Sequence, residues 1–162
     1  MSRTEPRDFF DRARLVGVVL LLGAGSLAIL GSFLDWVTIE PPRIVPDDQA
    51  DNLATFTGIQ TSDGRLILFG GLILIVCAVL LATRKTSSPA WWALLVSIVI
   101  GAIGIADYRD ISTVFYDEML RIGAPSPAIG LLLDAAAGIV GLVGSLVGIA
   151  ASPRRQDPGE AA

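Results

Sequence analysis

Four long apolar stretches dominate this sequence and restrict the folds that it can adopt. A helix needs ~20 mostly apolar residues to cross the ~30 Å hydrocarbon layer of a bilayer. The first and fourth stretches meet that length, and the other two are near the lower limit of ~17 residues. The sequence therefore predicts membrane-spanning helices over residues 15–34, 66–82, 90–106 and 128–151.

The composition supports one membrane domain and no second globular one. Of the 162 residues, 52% are hydrophobic, and the mean hydropathy is +0.65, well above the range of soluble domains. The predicted fold class is therefore an all-α membrane protein, a bundle of four transmembrane helices that occupies residues 1–162 as a single domain.

The distribution of basic residues predicts the orientation in the membrane. Lys and Arg are retained on the cytoplasmic side, and acids contribute little to the choice. We expect a multi-pass protein of the plasma (inner) membrane, with the flank 1–14, the link 83–89 and a disordered tail 152–162 in the cytoplasm. The basic residues of these three segments are Arg3, Arg7, Arg12, Arg14, Arg84, Lys85, Arg154 and Arg155.

The two long connections, 35–65 and 107–127, are predicted to form an extracytoplasmic cap. In the first, two β-prone runs at 36–39 and 53–59 flank an acidic turn, which predicts a short hairpin, and Ser62 or Asp63 is expected to cap the second span. In the second, apolar residues recur at helical spacing, which predicts an amphipathic helix. We expect both elements to share one apolar cluster containing Trp36, Phe56 and Phe115.

Several chemistries are excluded by the residues that are missing. The sequence contains no His and one Cys, Cys77, so His-dependent triads, His-ligated haem and zinc sites built on His or several Cys are ruled out. It has no phosphate-binding glycine loop, nucleophile elbow or aromatic-basic surface for nucleic acid. We therefore expect a non-enzymatic protein with no catalytic residue, cofactor, metal site or nucleic-acid partner.

Asp134 is the one acid inside a predicted span, and an intramembrane acid is a functional candidate by default. Counting from Ala150 places it only ~6 Å below the outer surface. There it is expected to reach water or an arginine, with Arg109, Arg121 and Arg65 as candidates. Two interpretations stay open: a structural carboxylate at the interface, and a relay for protons or ions.

Trp36 and the small residues of the fourth span are candidates for interaction. Trp36 directly follows the first span, where an aromatic ring anchors a chain at the membrane interface. Gly144 and Gly148 form a GxxxG pair, and such faces mark close helix contacts. The contact is either inside one bundle or between chains.

Short motifs resemble a group of small four-span membrane proteins of actinobacteria. They are SFLDWVT at 32–38, Phe56-Thr57-Gly58, and Asp63-Gly64-Arg65 before a leucine-rich second span. Asp35 stands where that group usually has proline. The resemblance implies four spans and no particular activity. The layout, with a Trp after the first span and an outer hairpin, is also similar to that of claudins, by analogy alone.

Together these features predict a scaffold or accessory subunit of a larger cell-envelope or respiratory complex. Its partners would be the lipid bilayer and other membrane proteins, or further copies of itself. The alternative is a small oligomeric transporter or channel that uses Asp134, or the acidic outer loops, for a cation or proton.

Overall fold

A computed structural model describes residues 6–40, 54–83, 86–110 and 124–152. The helices are α1 (Pro6–Phe33), α2 (Ser62–Thr83), α3 (Ser88–Arg109) and α4 (Ile129–Ala150). The strands are β1 (Asp35–Glu40), β2 (Ala54–Thr57) and β3 (Ala124–Pro127), and a 3-10 turn occupies Gly58–Gln60. All four helices are long and apolar enough to cross a membrane, which confirms the four-helix membrane bundle.

The helices form a ring in sequence order. α1 packs against α2 and α4, α3 packs against the same two helices, and α2 scarcely touches α4 across the centre. α1 begins at Pro6, so much of the predicted cytoplasmic flank continues the first helix. At the end of the bundle near that flank, Arg14 Nε donates to Leu81 O at 2.8 Å, and Nη2 donates to the same oxygen. This bond satisfies a carbonyl in the last turn of α2, which the helix itself leaves unpaired.

A three-stranded antiparallel sheet covers the opposite end, in the order β2-β1-β3. The predicted hairpin between the first two helices is confirmed, with Val37 opposite Phe56 and Ile39 opposite Ala54. The side chains of Trp36 and Val37 are fully buried and join the bundle core, so the hairpin packs on the helix ends. The sheet and the 3-10 turn are together called the cap.

The connection between α3 and α4 differs at both ends from the predicted helix at 107–127. Residues 107–109 belong to α3, and residues 124–127 form β3, which pairs with β1. Pro125 and Pro127 lack an N–H to donate, and β3 is accordingly an edge strand, where proline is tolerated. The apolar stripe at 111–122, including Phe115, lies outside the described residues, as does the predicted tail from 153 onward.

The start of α2 also differs from the prediction that Ser62 or Asp63 caps it. The residue before the helix does so: Thr61 Oγ1 accepts a hydrogen bond from Gly64 N at 3.0 Å and donates to Gly58 O at 2.8 Å. Because the same hydroxyl bonds both elements, it fixes the 3-10 turn on the first turn of the helix.

Candidate functional site

Trp36 occupies a close-fitting pocket made by three glycines at the cap end. Its indole N–H donates to Gly31 O at 3.1 Å. A methyl group added at Gly58 would lie 2.4 Å from Trp36 Nε1, and one added at Gly130 would lie 2.6 Å from Trp36 Cδ1. The ring is therefore enclosed by α1, the 3-10 turn and α4, rather than lying as an anchor in the lipid interface. Ala128 N donates to Trp36 O at 2.8 Å and fixes the backbone as well.

Asp134 lies directly below this pocket, on the face of α4 that packs on α1. A methyl group added at Gly31 would lie 2.3 Å from Asp134 Oδ1 and 3.0 Å from Gly130 O. The side chain is 0% exposed, and neither carboxyl oxygen has a hydrogen-bond partner among the described residues. The indole N–H of Trp36 is close enough to act on the carboxyl, but its geometry is that of a bond to Gly31 O. The expectation that Asp134 reaches water is therefore wrong.

A second buried acid, Asp107, lies near Asp134 in the last turn of α3. It is 5% exposed, and its Oδ2 has no hydrogen-bond partner among the described residues. Its charge acts on Asp134, and the charge of Asp63 at the start of α2 acts on Asp107. The three carboxyls thus form a series from the half-buried Asp63 to the fully buried Asp134.

The sequence analysis assigned Asp107 to the outer amphipathic helix predicted at 107–127, because the apolar run of the third span ends at Ala106. The helical spacing of small residues in α3 could have indicated that Asp107 is buried. Ser97, Gly101 and Gly104 lie on one face of α3, and Asp107 continues that face three residues later. All four are buried, so the small-residue stripe that marks the packed face also marks the acid.

The arginine candidates do not pair with Asp134 among the described residues. Arg109 is exposed at the end of α3, and Arg65 Nε donates to Ile59 O at 3.0 Å. Arg121 lies outside the described residues. The polar side chains that act on Asp134 within the described part of the chain are therefore the Asp107 carboxyl and the Trp36 indole.

Gly144 and Gly148 make their contacts inside the bundle. A methyl group at Gly144 would lie 2.9 Å from Leu20 Cβ, and one at Gly148 would lie 2.9 Å from Leu81 Cδ2. Among the described residues no glycine has a positive φ, so these glycines serve close helix approach rather than an unusual backbone conformation. The GxxxG face of α4 is therefore covered by α1 and by neighbouring residues of the same chain.

The contact between α2 and α3 leaves an open groove on the bundle surface. It has a volume of about 300 Å³. Gly70 and Ile100 lie at its floor and are buried, whereas Phe69, Trp92 and Leu95 on its rims are largely exposed. Its lining is apolar along its whole length: Leu66, Ile67, Phe69, Gly70, Ile73, Trp92, Leu95, Val96, Val99, Ile100 and Ile103.

No protein-family model matches this chain, and no curated protein is similar enough in sequence to count as a relative. The resemblance to small actinobacterial four-span proteins therefore stays a prediction.

Proposed function

We propose that this chain is a non-enzymatic scaffold or accessory subunit of a larger membrane complex, and that it binds a transmembrane helix of a partner protein in the α2–α3 groove. The groove is the observation that carries the proposal. Helix association in lipid depends on close van der Waals packing, and a concave apolar channel between two helices offers an incoming helix more contact than a convex surface does.

The composition of the rims also supports a protein partner. Aromatic residues are enriched where proteins bind one another, and Phe69 and Trp92 stand on opposite rims of the groove. The small-residue face of α4, which would otherwise be the natural partner surface, is already covered within the chain. Binding through the groove leaves the core of the bundle unchanged, as a scaffold requires.

Photo-crosslinking in the native membrane tests this proposal. Leu95 in the groove and Leu146 on α4 are matched in type and exposure, at 55% and 56%. With p-benzoylphenylalanine at 95, we expect a crosslink to one defined transmembrane protein, identified by mass spectrometry. The same group at 146 is expected to crosslink lipid. Equal labelling at both positions, lipid adducts alone at 95, or a crosslink to a second copy of this chain would each contradict a heteromeric scaffold.

We further propose that the cap faces outward and both termini face the cytoplasm of a plasma-membrane protein. The positive-inside distribution supports this orientation, and Arg14, bonded to Leu81 O near the end of α2, is one of the basic residues at the end of the bundle opposite the cap. In a Cys77→Ala background, Asp48→Cys should react with an impermeant thiol reagent on intact cells, whereas Ser87→Cys should react only after lysis. Labelling of Ser87→Cys on intact cells would show that the link between α2 and α3 faces outward, which contradicts the proposed topology.

The transporter alternative has less support in the described residues. A path across the membrane needs polar groups beyond Asp134, but the buried hydroxyls of Ser97 and Ser145 donate to carbonyls of their own helices, Ala93 O at 2.7 Å and Gly141 O at 2.7 Å. Among the described residues, the buried acids lie at the cap end of the bundle, and no further buried acid continues them toward the other end. They favour a binding site over a conduit.

A further inference from the structure

The two buried carboxyls below Trp36 need a positive charge that the described residues do not supply. Asp134 is 0% exposed with both oxygens unpartnered, and Asp107 is 5% exposed with Oδ2 unpartnered. An isolated carboxylate in a low-dielectric interior is strongly destabilising unless it is paired, and two such charges near each other add repulsion. An acid pair in this position is stable only with a bound counter-charge.

The elements packed around the pair do not provide that charge in the described part of the chain. α2 contributes Asp63, a further acid, and β1 contributes the uncharged indole of Trp36. α1 contributes the backbone at Gly31, and Arg109 and Asp110 at the end of α3 are exposed. Among these described groups, no cation faces the carboxyls.

A proton fits the site better than a metal ion. The described residues contain no group of three or more side chains that could hold a metal ion, whereas hard cations need several oxygen ligands. A proton needs only a carboxyl and an acceptor. Gly130 O lies four residues before Asp134 in α4, and a methyl group added at Gly31 would meet both Gly130 O and Asp134 Oδ1. The carbonyl oxygen of Gly130 is therefore the acceptor that we assign to a carboxyl O–H on Asp134.

We propose that Asp134 and Asp107 form one proton-binding site, reached from the cap side through Asp63, and that the bound proton keeps the cap closed over Trp36. Steric contact between α3 and α4 and electrostatic repulsion between the two acids couple proton binding to cap closure. A methyl group at Gly104 would lie 2.8 Å from Ala135 N, so α3 and α4 are in close contact beside the pair. Two negative charges at this contact repel each other and displace α4 from α3. Because α4 carries Gly130, which forms one wall of the Trp36 pocket, this displacement opens the pocket.

The sign of the pH dependence follows from this coupling. The closed cap binds the proton more tightly than the open cap does. Closure is therefore favoured at low pH and is lost as the pH rises and the proton dissociates. Asp134→Asn has the shape of the protonated acid and no charge, so its cap is expected to stay closed at every pH.

Fluorescence of Trp36 in lipid nanodiscs tests the proposal. The other two tryptophans, Trp91 and Trp92, lie exposed on α3, so the double variant W91F/W92F leaves Trp36 as the one indole. Between ~pH 4 and ~pH 10, the range of normal and shifted carboxyls, we expect a reversible red shift of the emission as the pH rises. Asp134→Asn should abolish the shift. Asp107→Asn should move its midpoint to lower pH, because the neighbouring negative charge that favours proton binding is removed.

Two controls keep the outcome clear. Asp11→Asn changes an exposed acid at the far end of α1 and should reproduce the parent curve. Infrared absorption of the protonated carboxyl gives a second signal, which Asp134→Asn should remove even if that variant alters the fluorescence by misfolding. The proposal is overturned if Trp36 emission is independent of pH, if Asp134→Asn retains the shift, or if Na⁺ or Ca²⁺ at constant pH produces it.

Discussion

The contact between α3 and α4 and the contact between α2 and α3 show opposite ways of joining two helices in lipid. Where α4 meets α3, glycine faces glycine, and a methyl group added at Gly138 would lie 2.4 Å from Gly101 Cα. Where α2 meets α3, the helices are held apart by larger side chains, and an open groove remains. The first arrangement gives the bundle its tight packing, and the second leaves apolar surface free for a partner.

The largest effect is expected from Gly138→Ala in the tight contact. The added methyl group meets Gly101 backbone atoms, which cannot rotate away, so the helices must separate. Overpacking of this kind typically costs about 1–3 kcal/mol, and we expect the upper end of that range. Thermal or denaturant unfolding in detergent measures the loss.

The reciprocal substitution, Gly101→Ala, is the matched control. Its methyl group would lie 3.6 Å from Gly138 Cα, an ordinary van der Waals distance. Little loss is therefore expected, although the same two residues are in contact. If the two variants lost equal stability, the prediction would be wrong. The methyl group at residue 138 would then be no more crowded than the methyl group at residue 101.

A smaller effect is expected from Gly70→Ala at the floor of the groove. The methyl group would lie 3.0 Å from Ile100 Cδ1 and 3.1 Å from Ile100 Cγ1, which are side-chain atoms rather than backbone and need to shift by only a few tenths of an ångström. The overpacking cost is offset in part by the ~0.5–1 kcal/mol that alanine gains over glycine in a helix, so we expect a net change below about 1 kcal/mol in the same unfolding measurement.

Gly23→Ala is the control for Gly70→Ala, since no atom lies within 4 Å of the methyl group added at Gly23. The difference in unfolding free energy between Gly70→Ala and Gly23→Ala therefore measures the steric cost at the groove. A loss for Gly70→Ala as large as that for Gly138→Ala would mean that the groove is as rigid as the glycine contact.

Hydropathy predicted the spans because the bilayer imposes a minimum length of apolar helix. The helices α2 and α3 extend a few residues beyond their predicted spans at both ends, and α1 begins at Pro6 rather than at residue 15, because helical hydrogen bonding continues past the hydrocarbon layer. Helix α4 lies within its predicted span. The hairpin was predictable from β-prone runs on either side of a turn. Strand β3 was not predictable, because Ala-Pro-Ser-Pro has low strand propensity. This segment pairs with β1 because the helix that follows it, α4, packs beside β1.

The candidate site was predictable only in part. Asp134 was recognisable as an acid inside a span. Its burial depends on Gly31 and Gly130 bringing α1 and α4 together around Trp36, and hydropathy contains no information on which face of a helix meets which neighbour. Asp107 lay one residue beyond the predicted span, and only its spacing from Ser97 and Gly104 relates it to the packed face.

The pairing of β3 with β1 has a consequence for biosynthesis. The ribosome makes Trp36 and Gly58 early, but Gly130 and β3 only with the last helix. Until α4 enters the membrane, the nascent chain carries a tryptophan without one wall of its pocket and a sheet without its third strand. Insertion of the final helix is thus the step that completes the cap, and a chain truncated before residue 124 displays an unfinished surface that membrane quality control can recognise.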